Sequence, residues 1–83
     1  MATIVLTAAA RDQASELPAA IRARIYRAVE RLVAWPNVSG AKPLRGRLVG
    51  QYRLRTGDYR IQFHVAGETV YVQRIGHRDR FYD

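Results

Sequence analysis

Residues 51–75 are written largely in a period of two. Gln51-Tyr52-Arg53-Leu54-Arg55 alternates, Tyr59-Arg60-Ile61-Gln62-Phe63-His64-Val65 alternates, and Val70 to Ile75 forms a third run. Such alternation predicts half-buried strands, because successive side chains of a strand leave on opposite faces. Thr56-Gly57 separates the first two runs and Ala66-Gly67 leads into the third, each suited to a two-residue hairpin turn. Three strands joined this way make an antiparallel meander.

The chain before residue 36 follows a different period. Thr3 to Thr7, mostly β-branched, reads as a short strand. Thr7 can cap a helix from Ala8 to Glu16, with Ala10, Ala14 and Leu17 on one stripe. Pro18 suits the first turn of a second helix, in which Ile21, Ile25, Ala28, Val29 and Leu32 recur at helical spacing. Arg22, Arg24, Arg27 and Arg31 lie off that stripe and read as a solvated face. Trp35-Pro36 ends the helix, and residues 36–46 read as a loop. The order is strand, two helices, three strands. It predicts an α+β domain over residues 1–83, one antiparallel sheet with a helical hairpin on one face. A chain of 83 residues has a thin core, burying only about 60% of its unfolded surface.

Placing the turns at 56–57 and 66–67 fixes a register. Arg55 then faces Asp58, Arg53 faces Arg60, Arg60 faces Gln73 and Gln62 faces Tyr71. One face carries Gln51, Arg53, Arg55, Arg60, Gln62, Tyr71 and Gln73. The other carries Tyr52, Leu54, Tyr59, Ile61 and Phe63, suited to the helices. The same count puts Ile75 and His77 on the Arg side. Like charges directly opposite destabilise a sheet, by up to about 1 kcal/mol. Either the guanidinium groups splay into water or pair with Asp58, or the face is an anion site in which phosphate relieves the repulsion. Arg suits the second role, because its planar fork grips phosphate oxygens bidentately.

The formal charge is +7, and every basic residue except Lys42 is Arg. That sign favours phosphates, an anionic membrane or an acidic protein. A general bias toward Arg would explain the total but not the placement. There is no Cys, which excludes disulfides and thiolate metal sites, and only His64 and His77 offer imidazole. No metal or cofactor is expected. No run reaches the roughly 18 apolar residues of a membrane span, and no basic segment precedes the short apolar N-terminal run, so a cytoplasmic protein is expected. No phosphate-binding Gly loop, carboxylate pair or nucleophile elbow is present. For proton transfer the tail offers His77 and Tyr82. Asp79 more simply pairs with an Arg, and His64, near the far hairpin turn, receives no role.

Lys42-Pro43-Leu44-Arg45-Gly46, Tyr52-Arg53-Leu54-Arg55, Gly57-Asp58-Tyr59-Arg60-Ile61 and Ile75-Gly76-His77-Arg78 resemble the successive signatures of RelE/ParE toxins of type II toxin–antitoxin systems. The resemblance covers nearly the whole chain. It implies a small α+β ribonuclease that enters the ribosomal A site and cuts mRNA without metal, basic residues holding the phosphate while the ribose 2′-hydroxyl attacks it. The family's basic positions fall on Arg53, Arg55, Arg60 and Arg78, and its C-terminal Tyr on Tyr82. The best-known RelE enzyme has Lys where this chain has Arg53 and Arg55. Arg keeps its proton, so proton transfer falls to Tyr82 and to His77, which stands in for the C-terminal His of some relatives. Arg45, Arg47, Gln62, Gln73 and Arg80 are expected to contact RNA around this centre. The implied partners are an acidic antitoxin, in a hetero-oligomer with the toxin, and mRNA on the ribosome. The alternative is a ParE-like toxin that blocks DNA gyrase and is no nuclease.

Overall fold

The computed structural model describes residues 1–80, apart from the side chain of Arg80. A short strand, β1 (Thr3–Leu6), leads directly into helix α1 (Ala8–Ser15). Thr7 makes the junction: its hydroxyl accepts a hydrogen bond from the Ala10 N–H and its backbone N–H donates to the Val72 carbonyl. Helix α2 (Ala19–Arg31) follows Pro18 and ends in a 3-10 turn, Leu32–Ala34. After a loop come β2 (Lys42–Pro43), a 3-10 turn (Gly46–Leu48), then β3 (Gln51–Thr56), β4 (Tyr59–Ala66) and β5 (Thr69–His77), and a last 3-10 turn at Arg78–Arg80. No helix among the described residues is long and apolar enough to cross a membrane.

The five strands form one sheet in the order β1-β5-β4-β3-β2. The α+β architecture is as expected, with two differences. The sheet is mixed, because β1 runs parallel to β5. Parallel neighbours need a long connection, and the helical hairpin plus the meander supplies it. Within the expected loop, Lys42 and Pro43 pair with Arg53 and Tyr52 as a two-residue edge strand. An edge is where a sheet tolerates Pro, which lacks the donor a central strand needs.

The core lies between the helices and one sheet face. Ala10 and Ala14 of α1 and Ile25, Ala28 and Val29 of α2, with Leu32, meet Leu54, Ile61, Phe63, Val70, Val72 and Ile75. Trp35 stands edge-on to both Tyr52 (4.7 Å) and Phe63 (5.3 Å) at one end. Two of the helix-borne Arg side chains are more than a solvated face. Arg22 donates toward the Ser15 and Leu17 carbonyls, which a helix end leaves without intrahelical donors, and Arg31 donates to Ser39 in the loop.

Both hairpin turns sit one residue later than the sequence count. Thr56 pairs with Tyr59 and Ala66 with Thr69, so the turns are Gly57-Asp58 and Gly67-Glu68. Gly57 has φ of +58° and Gly67 +61°, a conformation that a β-branched Thr56 resists. Moving a turn by one residue slides the partner by two, so each strand keeps its faces and changes only its opposite number. Arg53 therefore faces Gln62, not Arg60, and Arg55 faces Arg60, not Asp58.

On β5 the face itself changes. Val72 pairs with Phe63 and Arg74 with Gln62, leaving Gln73 as an extra residue in a bulge. Without it Arg74 would enter the core and Ile75 would face solvent. With it Ile75 is buried opposite Ile61, and Arg74 joins the Arg side.

Candidate nucleic-acid interface

The sheet face away from the helices can be read in rows across the strands. One row holds Arg55, Arg60 and Gly76, and the next holds Lys42, Arg53, Gln62 and Arg74. A third holds Gln51, His64, Tyr71 and Val5. Residues two apart along a strand are about 7 Å apart, so the first two rows put five cations on a patch only one such step deep. Two opposed pairs are of like charge, Arg55 with Arg60 and Lys42 with Arg53.

Among the described residues, neither cationic row contains an acid. Asp58 lies 4.0 Å from the Arg78 guanidinium, and Asp79 lies 3.7 Å from it. Neither Arg53 nor Arg55 has a carboxylate partner among the described residues. The Arg53 Nε is buried and has no hydrogen-bond partner among them. Gln62, 7% exposed, lies centrally and donates to the Gln51 side chain, while its own Oε1 has no partner among the described residues. Buried polar groups of this kind are stabilised when a ligand completes their hydrogen bonds.

Arg78 stands at the turn end of this face, where its backbone N–H donates to the Asp58 carbonyl (2.8 Å). Arg45 and Arg47 are exposed at the opposite end, on the connection that enters β3. Gln73 occupies the bulge. Tyr82 and the side chain of Arg80 lie outside the described residues.

His77 is not on the Arg side. Beyond the bulge it pairs with Tyr59, and its ring meets the Tyr59 ring edge-on, with centroids 5.3 Å apart. It lines an open groove of about 360 Å³ with Gln13 of α1 and with Glu16 and Leu17, which follow that helix. Its Nδ1 accepts from the Asp79 N–H and lies 3.6 Å from the Asp79 carboxylate. The count that placed His77 beside the cations failed at the bulge. The same error concealed Arg74 as a member of the cationic face. The spacing Val70, Val72, Ile75 carried the signal: two steps, then three, with two polar residues in the wider gap. His64, given no role from the sequence, shares the face with the cations and stacks on Tyr71.

The sequence matches the family model described as "ParE toxin of type II toxin-antitoxin system, parDE" over residues 4–82. Among solved structures, the toxin–antitoxin complex RelBE2 of Mycobacterium tuberculosis contains a similar chain, 29% identical, with a TM-score of 0.81, covering 93% of this chain and 98% of that one. The isolated RelE toxin of E. coli is 19% identical with a TM-score of 0.79, over 99% and 89% of the two chains. A chain of the chromosomal ParDE system of P. aeruginosa is 18% identical with a TM-score of 0.74, over 93% and 96%. At those two identities the likeness shows the fold alone. No curated protein matches the sequence.

Proposed function

The chain belongs to the RelE/ParE family of toxins of type II toxin–antitoxin systems, and we propose that this member is a ribosome-dependent endoribonuclease that cuts mRNA without a metal. The observation that carries the reading is the pair of adjacent cationic rows, with Arg55 opposite Arg60 and Lys42 opposite Arg53. A sheet face built for stability alone avoids such pairs. A phosphate diester whose negative charge grows in the transition state turns them to use, most strongly where water is excluded.

In this reading Arg53, Arg55, Arg60 and Arg78 hold the scissile phosphate, and Arg74 extends their reach. The 2′-hydroxyl attacks the neighbouring phosphorus, a bond forms to the 2′-oxygen, and the bond to the 5′-oxygen of the next nucleotide breaks. One proton leaves the 2′-hydroxyl and one reaches the departing 5′-oxygen. Guanidinium groups do not exchange protons readily, so Tyr82, four residues beyond Arg78, is the first choice for this work. His77, set on the helix side by the bulge, is the second. Arg45, Arg47, Gln62, Gln73 and Arg80 contact the RNA around the cut.

An acidic antitoxin is the proposed regulator, since the similar M. tuberculosis chain lies in a toxin–antitoxin complex and a net charge of +7 attracts such a partner. Co-expression with an acidic neighbouring gene product should yield a stable complex.

One observation favours a second reading. Among the described residues, the two cationic rows contain no His, Tyr or carboxylate, and their one ammonium, Lys42, is exposed on the edge strand; a gyrase-blocking toxin would need no proton-transfer group. The deciding experiment incubates the chain with programmed ribosomes and, separately, with gyrase and relaxed plasmid. Cleaved mRNA with unimpaired supercoiling is expected. Intact mRNA with blocked supercoiling would replace the nuclease with the gyrase inhibitor. Given cleavage, Tyr82→Phe should slow single-turnover cutting by about 10²–10⁴-fold, with ribosome binding retained and a smaller loss for His77→Gln.

A further inference from the structure

Beyond its cationic rows, the outer sheet face carries a second kind of surface. His64 of β4 and Tyr71 of β5 are cross-strand partners, and their rings stack with centroids 4.9 Å apart and planes 14° from parallel. Both residues are half-buried, so each remains accessible. The His64 Nδ1 is buried without a hydrogen-bond partner among the described residues, and so are the Oε1 atoms of Gln62 and Gln73. Three unpaired buried atoms thus lie on or beside two adjoining rows. Leaving such groups unpaired is costly, and a ligand that pairs them recovers the cost.

Nothing in the core requires this stack. The aromatic cluster that supports the helices, Trp35, Tyr52 and Phe63, is on the opposite face. The stack lies between the cationic rows on one side and the exposed Arg45 and Arg47 on the other. It is about 7 Å along the strands from the row of Arg53 and Gln62. That is within the span of a single nucleotide from phosphate to base.

We propose that His64 and Tyr71, with the carboxamides of Gln62 and Gln73, form a nucleobase site for single-stranded RNA, and that it takes the base of a nucleotide beside the one whose phosphate rests on the cations. Aromatic rings accept any base by stacking. The free amide oxygens add selectivity. Turned toward the ligand they accept, so they favour a base that presents an exocyclic amino group over uracil, whose edge offers one N3–H between two carbonyls. The inference rests on the RNA-cleaving reading of the same face.

The test uses the full chain, its Tyr71→Val, His64→Val and Tyr71→Phe variants, and a short single-stranded RNA carrying 2-aminopurine, whose fluorescence falls on stacking. The parent and Tyr71→Phe should quench it, while the two Val variants should bind about tenfold more weakly, as expected for a lost base–aromatic stack. On ribosomes, the parent should disfavour uridine at one position beside the cut. The Val variants should lose that preference and keep the cutting rate at saturation. If a Val variant fails to fold, Gln73→Ala reads the same preference with the stack intact. Val variants that fold, quench and select as the parent does would overturn the site and leave the nuclease standing. A parent that quenches the probe with the predicted variant pattern but leaves ribosome-bound mRNA intact would overturn the nuclease and support the site. A parent that leaves the probe unquenched overturns the site.

Discussion

Leu54, Ile61 and Ile75 meet the helices on one face of the sheet, while Arg53, Arg55, Arg60 and Arg74 occupy the other, one residue away along the same strands. The first set is fully or nearly fully buried and packs on α1 and α2. In the second, Arg55 stands opposite Arg60, and Arg53 stands opposite Lys42 of the edge strand. Register couples the two, because a slip of one residue would exchange them. The apolar face therefore holds the cations where they would not settle by themselves. Stability resides on one side of the sheet, and the other is free to be charged for a ligand.

The comparison breaks most completely from the apolar side. Phe63 is fully buried between Trp35 and Tyr52. Phe63→Ala should cost about 3–5 kcal/mol, a large share of the stability of a domain this size. Chemical denaturation should show a chain mostly unfolded or unfolding at much lower denaturant, and a loss under about 1 kcal/mol would mean that this face is not what fixes the register.

A smaller effect is expected from removing Gln73. Its deletion turns the bulge into a regular ladder and keeps Val72 and Ile75 inward, at the expense of the 3.3 Å hydrogen bond that its carbonyl accepts from the Thr7 hydroxyl. A loss of about 1–2 kcal/mol is predicted. Deleting Gln62 from β4 should be far worse, because it inverts the face of every residue on one side of it. Equal stability of the two deletion variants, measured by thermal unfolding, would contradict the register described for β4 and β5.

Most of this architecture is legible in the sequence, and the parts that are not have identifiable causes. Alternation along 51–65 assigns the two faces of β3 and β4 correctly even with the turn misplaced, since a one-residue error in the turn slides the partner by two. The same tolerance ends at β5, where Gln73-Arg74 breaks the alternation and an unrecognised bulge puts His77 on the wrong side. β2 is hidden because a two-residue strand containing Pro43 has no periodicity to read. The parallel pairing of β1 with β5 depends on how the whole chain closes, which no local pattern encodes. Of the proposed site residues, Arg53, Arg55 and Arg60 were recoverable from alternation. Arg74 needed the bulge, and His64 needed its cross-strand partner Tyr71.

The smallest stability effect bears most directly on the central claim, that the cations of the outer face are held for phosphate and not for stability. Thermal unfolding of the parent, Arg53→Ala and Arg55→Ala should be compared with and without a short single-stranded RNA. Without RNA, Arg55→Ala should be as stable as the parent or more stable by up to about 1 kcal/mol, since it removes the repulsion from Arg60. With RNA at about 100 times the parent's Kd, the parent should gain roughly 2.7 kcal/mol by mass action, and both variants distinctly less. Variants that are markedly less stable without RNA, yet gain as much as the parent when it is added, would show that these Arg side chains hold the sheet together and not the ligand.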